Sequence, residues 1–166
     1  MNFNSDMPWV LFTIDKETFA ISAEHVLEMV VIQHIIKIPQ APDYIRGVLK
    51  LRDRTFPVMD LRVKMGIDQS AKALSDGSNE IAIVLEVGNR SMVVCIDTVS
   101  TVEKLSEADM SEMPEVLSTS VNQFLLGIAK RESDKSIVQL LDAAKLIGLK
   151  AAPAAAPDPE LEPVLV

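Results

Sequence analysis

Short apolar runs separated by charged or glycine-bearing turns recur along most of the chain, the pattern of β-hairpins. Trp9 to Ile14 and Thr18 to Ser22 flank Asp15-Lys16-Glu17 and predict a first hairpin. Ser22 then reads as an N-cap for a short helix over Ala23 to Met29, with Val26, Met29 and Val30 on one face and Glu24 and Glu28 on a solvated one. The β-branched run Val30 to Ile38 predicts a strand, ended by Pro39 and Pro42. Ile67 to Glu80, rich in Ser, Asp and Gly, reads as a loop and as the crossing between subdomains. Beyond it, Ile81 to Val87 and Ser91 to Ile96 form a second hairpin around Gly88-Asn89-Arg90, echoing the first, and Val99 to Leu105 alternates as a further strand. Ser106 to Ser120 is an acidic connection broken by Pro114, with room for a helical turn.

Between the hairpins lies the stretch richest in positional information, Tyr44 to Gly66. Val48, Leu49 and Leu51 precede the charged turn Arg52-Asp53-Arg54, and Phe56, Val58 and Met59 follow it. Asp60 is placed to cap a short helix that Gly66 stops. The same order returns later: Phe124 to Lys130 repeats Tyr44 to Lys50, with Gly47 and Gly127 80 residues apart, then comes a polar turn, a strand Ile137 to Leu141, and Asp142 opening a helix that stops at Gly148. Asp and Gly are six residues apart in both copies. Two related subdomains, each ending in hairpin, cap, short helix and glycine, are therefore expected.

Composition narrows the function. At 166 residues and 48% apolar, the chain folds over most of its length, while a net charge of −8 and 4% aromatics argue against nucleic-acid binding. The single cysteine, Cys95, excludes an intramolecular disulfide and fits a reducing cytoplasm; its apolar neighbours make it a buried small hydrophobe. With no secretory leader and no long uncharged apolar run, neither secretion nor membrane insertion is expected. From Lys150 onwards Ala, Pro and Glu predominate, and residues 150–166 are expected to be a disordered tail whose apolar end, Val164-Leu165-Val166, offers a docking-peptide alternative.

Catalytic patterns are missing. The glycines stand singly, no serine occupies a nucleophile elbow, and His25 and His34 lack partners at metal-ligand spacing, so neither enzyme activity nor a cofactor or metal is expected. Asp60 and Asp142 are accounted for as helix caps. Against the acidic background, Arg46 to Lys64 carries six basic and two acidic residues, about +4. Strand alternation sends Val48, Lys50 and Arg52 one way and Leu49 and Leu51 into the core, predicting a basic exposed strip that suits a protein partner. A small β-barrel nucleic-acid binder would use the same strip and is the alternative from another class.

These residues bring a family into view. RGVLKLRDRTFPVMDLRVKMG, led by Pro39-Gln40-Ala41-Pro42 and closed by Pro57-Val58-Met59-Asp60-Leu61, resembles the central signature of CheW-like chemotaxis coupling domains, and Phe19-Ala20-Ile21, Val26-Leu27-Glu28 and Leu140-Leu141-Asp142 agree with it in order. The resemblance runs from Trp9 to Leu149, after an N-terminal lead of residues 1–8. It implies a mostly β fold of two interlocked five-stranded SH3-like barrels sharing a hydrophobic core, with short helices, no catalytic activity and a cytoplasmic place, at receptor arrays. The implied partners are the helical tips of methyl-accepting chemoreceptors and the regulatory domain of a CheA-type histidine kinase, in flagellar chemotaxis or in pilus motility or another chemosensory pathway. It also implies receptor contacts at Gly47, Val48 and Arg52, with Lys50 and Asp53 added from the strip and the turn, and leaves the kinase contact unassigned on an apolar barrel surface. Two positions depart from the family: Lys50 replaces its usual Asn, and Asp53 its usual Gly, where a left-handed turn is expected.

Overall fold

The computed structural model describes residues 7–67, 80–113 and 122–148. Among these residues eleven strands form two mixed sheets. The first hairpin comprises β1 (Trp9–Ile14) and β2 (Glu17–Ser22), turning on Asp15 and Lys16, both at positive φ, as in a type I′ two-residue loop. A 3-10 turn at Ala23–His25 leads into β3 (Val26–Ile32). The central hairpin is β4 (Ile45–Leu51) and β5 (Arg54–Asp60), followed by α1 (Leu61–Met65). Then come β6 (Glu80–Val87), β7 (Arg90–Ile96) and β8 (Thr98–Glu103), a 3-10 turn at Glu107–Asp109, and β9 (Met110–Ser111). The last hairpin, β10 (Leu125–Lys130) and β11 (Ile137–Leu141), leads to α2 (Ala143–Leu146).

One sheet runs β8-β1-β2-β11-β10-β9 and the other β3-β6-β7-β5-β4, with an added bridge from Ile36 to Val48 on the outer side of β4. The strand count is thus six and five rather than the expected five and five. Each sheet takes a hairpin from one half of the chain and the remaining strands from the other. The chain changes sheet between β2 and β3 and again between β7 and β8. Residues 68–79, where a crossing was expected, lie outside the described residues, and the elements on either side, β5 and β6, belong to the same sheet.

The expected helix over Ala23 to Met29 is replaced by the 3-10 turn and β3, and Ser22 makes no side-chain cap. Val26, Leu27, Met29, Val30, Val31 and Ile32 are apolar at almost every position, so helical and strand periods fit the sequence alike. Pairing with β6 from Val26–Leu85 to Ile32–Glu80 decides for the strand, and the β-branched residues suit it. The expected strand Val30 to Ile38 is accordingly divided: β3 ends at Ile32, and only Ile36 pairs again.

The two sheets enclose a shared core. Val10, Phe12, Ile14, Phe19 and Ile21 from one meet Met59, Ile83, Leu85 and Val94 from the other, with Leu61 and Met65 of α1 and Leu146 of α2. The opposite faces of the same strands pack into separate clusters, Trp9, Leu11, Ala20 and Leu140 behind the first sheet and Val58, Ala82, Val84, Val93 and Cys95 behind the second. Burial on both faces is why β1 and β7 read as continuous apolar runs.

The repeat is structural. β4 and β10 both carry a register shift on the residue before their glycine, between Ile45 and Gly47 and between Leu125 and Gly127. The amide of Asp60 donates to the Tyr44 carbonyl at 2.8 Å, and that of Asp142 to the Phe124 carbonyl at 2.8 Å. Asp60 Oδ1 accepts from the Arg62 amide at 3.0 Å, Asp142 Oδ1 from the Lys145 amide at 3.2 Å, and Gly66 and Gly148 both take positive φ. The parallel pairings match too, Val58 with Val93 and Leu140 with Ala20.

Candidate partner-docking site

The residues singled out from the sequence fall along β4 and its turn, but they do different things. Gly47 is buried, and a Cβ there would lie 2.2 Å from the Ile36 carbonyl oxygen; its φ of 147° also disfavours a side chain. Its missing side chain lets the 33–38 segment close onto β4. The Ile36 amide donates to the Val48 carbonyl at 2.9 Å, and the Val48 amide donates back at 2.8 Å. Gly127 makes the same concession to Ser111, whose carbonyl oxygen would be 2.3 Å from an added Cβ. Val48 is half-buried, Lys50, Arg52 and Asp53 are exposed, and Leu49 packs inward with Leu51 beside it.

The turn departs from expectation. Arg52, at φ 57°, is the left-handed residue, whereas Asp53 is not among the positive-φ positions. Leu51 pairs with Arg54, so the loop has two residues, and positive φ at its first residue alone is the pattern of a type II′ turn rather than the type I′ pattern at Asp15 and Lys16. Asp53 in the family's glycine place therefore carries no left-handed strain. Arg52 Nη1 donates to Glu28 Oε2 of β3 at 2.8 Å, tying the hairpin tip to the opposite edge strand of its sheet.

Most of the expected basic strip is neutralised by acids distant in sequence. Arg46 pairs with Glu80, Arg52 with Glu28, Arg54 with Glu86, and Arg62 with Asp97. Arg54 also lies over the Phe56 ring, 4.8 Å from its centroid, and Lys64 over that of Tyr44 at 3.9 Å. Among the described residues, Lys50 alone of the six is left without an ion pair or ring contact. Burial pulls the Arg46 guanidinium pKa down, and hydrogen bonds to Glu80 and Cys95 more than reverse this, leaving it above the ordinary arginine value. For Arg62 the hydrogen bond to Asp97 raises it. With four of its six cations paired to acids and Lys64 lying over a ring, the strip is a poor phosphate-tracking surface.

What the sequence reading missed is apolar. Leu27, Met29 and Val31 stand 48%, 48% and 57% exposed on the outer face of β3, and Ile36 and Ile38 are exposed on the segment running from it to β4. The helical reading had placed Met29 inward; strand alternation applied to Val26–Ile32 would have revealed the stripe. On the other sheet, a recess of about 340 Å³ is lined in part by Ala108, Met110, Ser111, Ile128, Lys130 and Ile137. Ile128 and Lys130 hold the places in the second copy that Val48 and Lys50 hold in the first. No group of three or more metal-ligating side chains occurs among the described residues, and none of their helices is long and apolar enough to cross a membrane.

A mostly β fold of two interlocked sheets with exposed apolar surface along β3 is the class these observations define. The CheW-like domain family matches residues 8–151. The chemotaxis protein CheW of Klebsiella aerogenes is 30% identical over 139 residues, covering 84% of this chain and 80% of that protein. That of Bacillus subtilis is 24% identical over 152 residues, covering 90% and 92%. A crystal structure of the scaffolding protein CheW from Thermoanaerobacter tengcongensis superposes with a TM-score of 0.73 at 25% identity, covering 88% of this chain and 90% of that one. The chain belongs to the CheW-like domain family and is a chemotaxis scaffolding protein without catalytic activity.

Proposed function

We propose that the protein is a cytoplasmic adaptor that holds the helical tip of a chemoreceptor and the regulatory domain of a CheA-type histidine kinase together, coupling receptor state to autophosphorylation within receptor arrays. Family membership over residues 8–151 is the observation that carries this reading. The receptor tip is assigned to the β4 face and turn, where Val48 supplies apolar contact, Lys50 and Arg52 charge, and Asp53 the rim, while Gly47 acts by admitting Ile36. The apolar stripe Leu27, Met29 and Val31 suits the kinase domain. An apolar surface rimmed by charge is the composition of a protein interface.

The experiment is capture of purified chain by each partner separately, with Arg52→Glu and Met29→Glu as variants. Arg52→Glu is expected to weaken receptor-tip binding about tenfold or more and Met29→Glu to weaken kinase-domain binding similarly, since charge placed in an interface core costs about 2 kcal/mol or more. Capture of neither partner by the folded wild-type chain would overturn the coupling role. Loss of both bindings in one variant would overturn the division of surfaces.

A further inference from the structure

Behind the five-stranded sheet, one polar group of side chains has no counterpart in the other half. Arg46 of β4 directs its guanidinium to Glu80, the first residue of β6: Nη1 bonds Oε2, and Nη2 donates to Oε1 at 3.2 Å. Nη1 also lies 3.4 Å from the Cys95 Sγ of β7. Glu80 is 8% exposed at its side chain and Arg46 18%, and Cys95 is 5% exposed beneath them. On a flat sheet β4 and β6 would lie three strand spacings, about 14 Å, apart; the pair spans that interval over Cys95 and bypasses β5.

The internal repeat shows what the fold uses here when it does not use charge. Matching Gly47 with Gly127 puts Leu126 in the place of Arg46. Matching the parallel pairs Val58–Val93 and Leu140–Ala20 puts Ser22 in the place of Cys95, and the hairpin correspondence puts Met7 in that of Glu80. The other sheet thus has apolar and small residues at the equivalent positions. An ion pair withdrawn from water is seldom more stabilising than such packing, but loss of either partner is costly because it strands a charge. The pair thus puts an ion pair at a place where the sister half has the uncharged residues Met7, Leu126 and Ser22.

We propose that Arg46 and Glu80 form a clasp holding the base of the central hairpin against β6, and that its release is a local opening that uncovers Cys95 while the rest of the molecule stays folded. The clasp adjoins Gly47 and Val48, so its state sets how the β4 face is presented. Cys95 is the chain's only cysteine and reports opening directly. In the closed state its thiol is silenced, because burial, partly opposed by Arg46, pushes its pKa up to about 11.

Thiol labelling with an aromatic disulfide reagent in increasing urea tests this. Wild-type labelling at low urea is expected to depend on denaturant far more weakly than global unfolding does, the mark of a local opening. Glu80→Gln is expected to label about tenfold or more faster than wild type at unchanged far-UV circular dichroism, and Arg46→Leu with Glu80→Met, the other half's pair, to return the rate to within about threefold of wild type. Labelling of Glu80→Gln at the wild-type rate would overturn the clasp. So would a wild-type denaturant slope equal to that of global unfolding, which is readable even if the variant fails to fold.

Discussion

At the scale of single residues, position 47 separates a structural requirement from a functional one. The resemblance assigns Gly47 to receptor contact, but the Ile36 carbonyl would be 2.2 Å from any Cβ there. Gly47→Ala is expected to cost about 2–3 kcal/mol or more in urea unfolding, and Gly127→Ala about as much. Gly88→Ala, at φ 62° but with open space around it, should cost only about 1 kcal/mol. Cys95 makes a pH prediction. Its folded-state pKa, pushed up to about 11 by burial, lies above the unfolded thiol's, about 8.5, so the protonated thiol's contribution is complete below pH 8.5 and lost as pH rises through 11. Wild-type stability should fall by about 2–3 kcal/mol more than that of Cys95→Ala across this window, measured by urea unfolding at stepped pH. Equal slopes would show that the thiol titrates normally. The charges around β4 were readable one by one, but their neutralisation was not, because Glu28, Glu80, Glu86 and Asp97 reach Arg52, Arg46, Arg54 and Arg62 only through tertiary pairing.

Among the elements, those specified by local chemistry were legible. Hairpin turns at Asp15-Lys16, Arg52-Asp53 and Gly88-Asn89 sit between apolar runs, and the cap-to-glycine spacing marks both short helices. Asp60→Ala and Asp142→Ala are each expected to lose about 1 kcal/mol, since each removes one acceptor from a free helix-terminal amide. A loss at one site only, by thermal or urea unfolding, would mean that the two copies are not equivalent in energy. β3 was not legible because its apolar residues satisfy both periods. What decides it is β6, whose paired residues lie 48 (Ile32–Glu80) to 59 (Val26–Leu85) positions along the chain, and the same decision leaves Leu27, Met29 and Val31 facing outward. Tertiary pairing here settles a local ambiguity, and the exposed apolar stripe is its consequence.

For the whole molecule, interlocked subdomains were implied by the family resemblance, but which hairpins the halves exchange was not readable from the repeat. A repeat of 80 residues suggests two subdomains in succession, whereas β3 pairs with β6 and β1 with β8, so neither half owns a complete sheet. Fragments made by cutting between residues 68 and 79 are therefore expected to be unfolded separately and to regain native circular dichroism when mixed; independent folding of the first fragment would contradict the interlocked topology. The interlocking also places the β4 face and the β3 stripe at the two edges of one sheet, with the Arg52–Glu28 pair tying the hairpin tip to β3, so the two proposed partners would engage the same sheet. The most direct test of that adaptor role is kinase autophosphorylation in vesicles bearing receptor, measured with and without the chain. The account predicts that receptor ligand changes the rate when the wild-type chain is present, and much less when it is absent or carries Arg52→Glu. Receptor control of the kinase that is the same with and without the folded protein would contradict it.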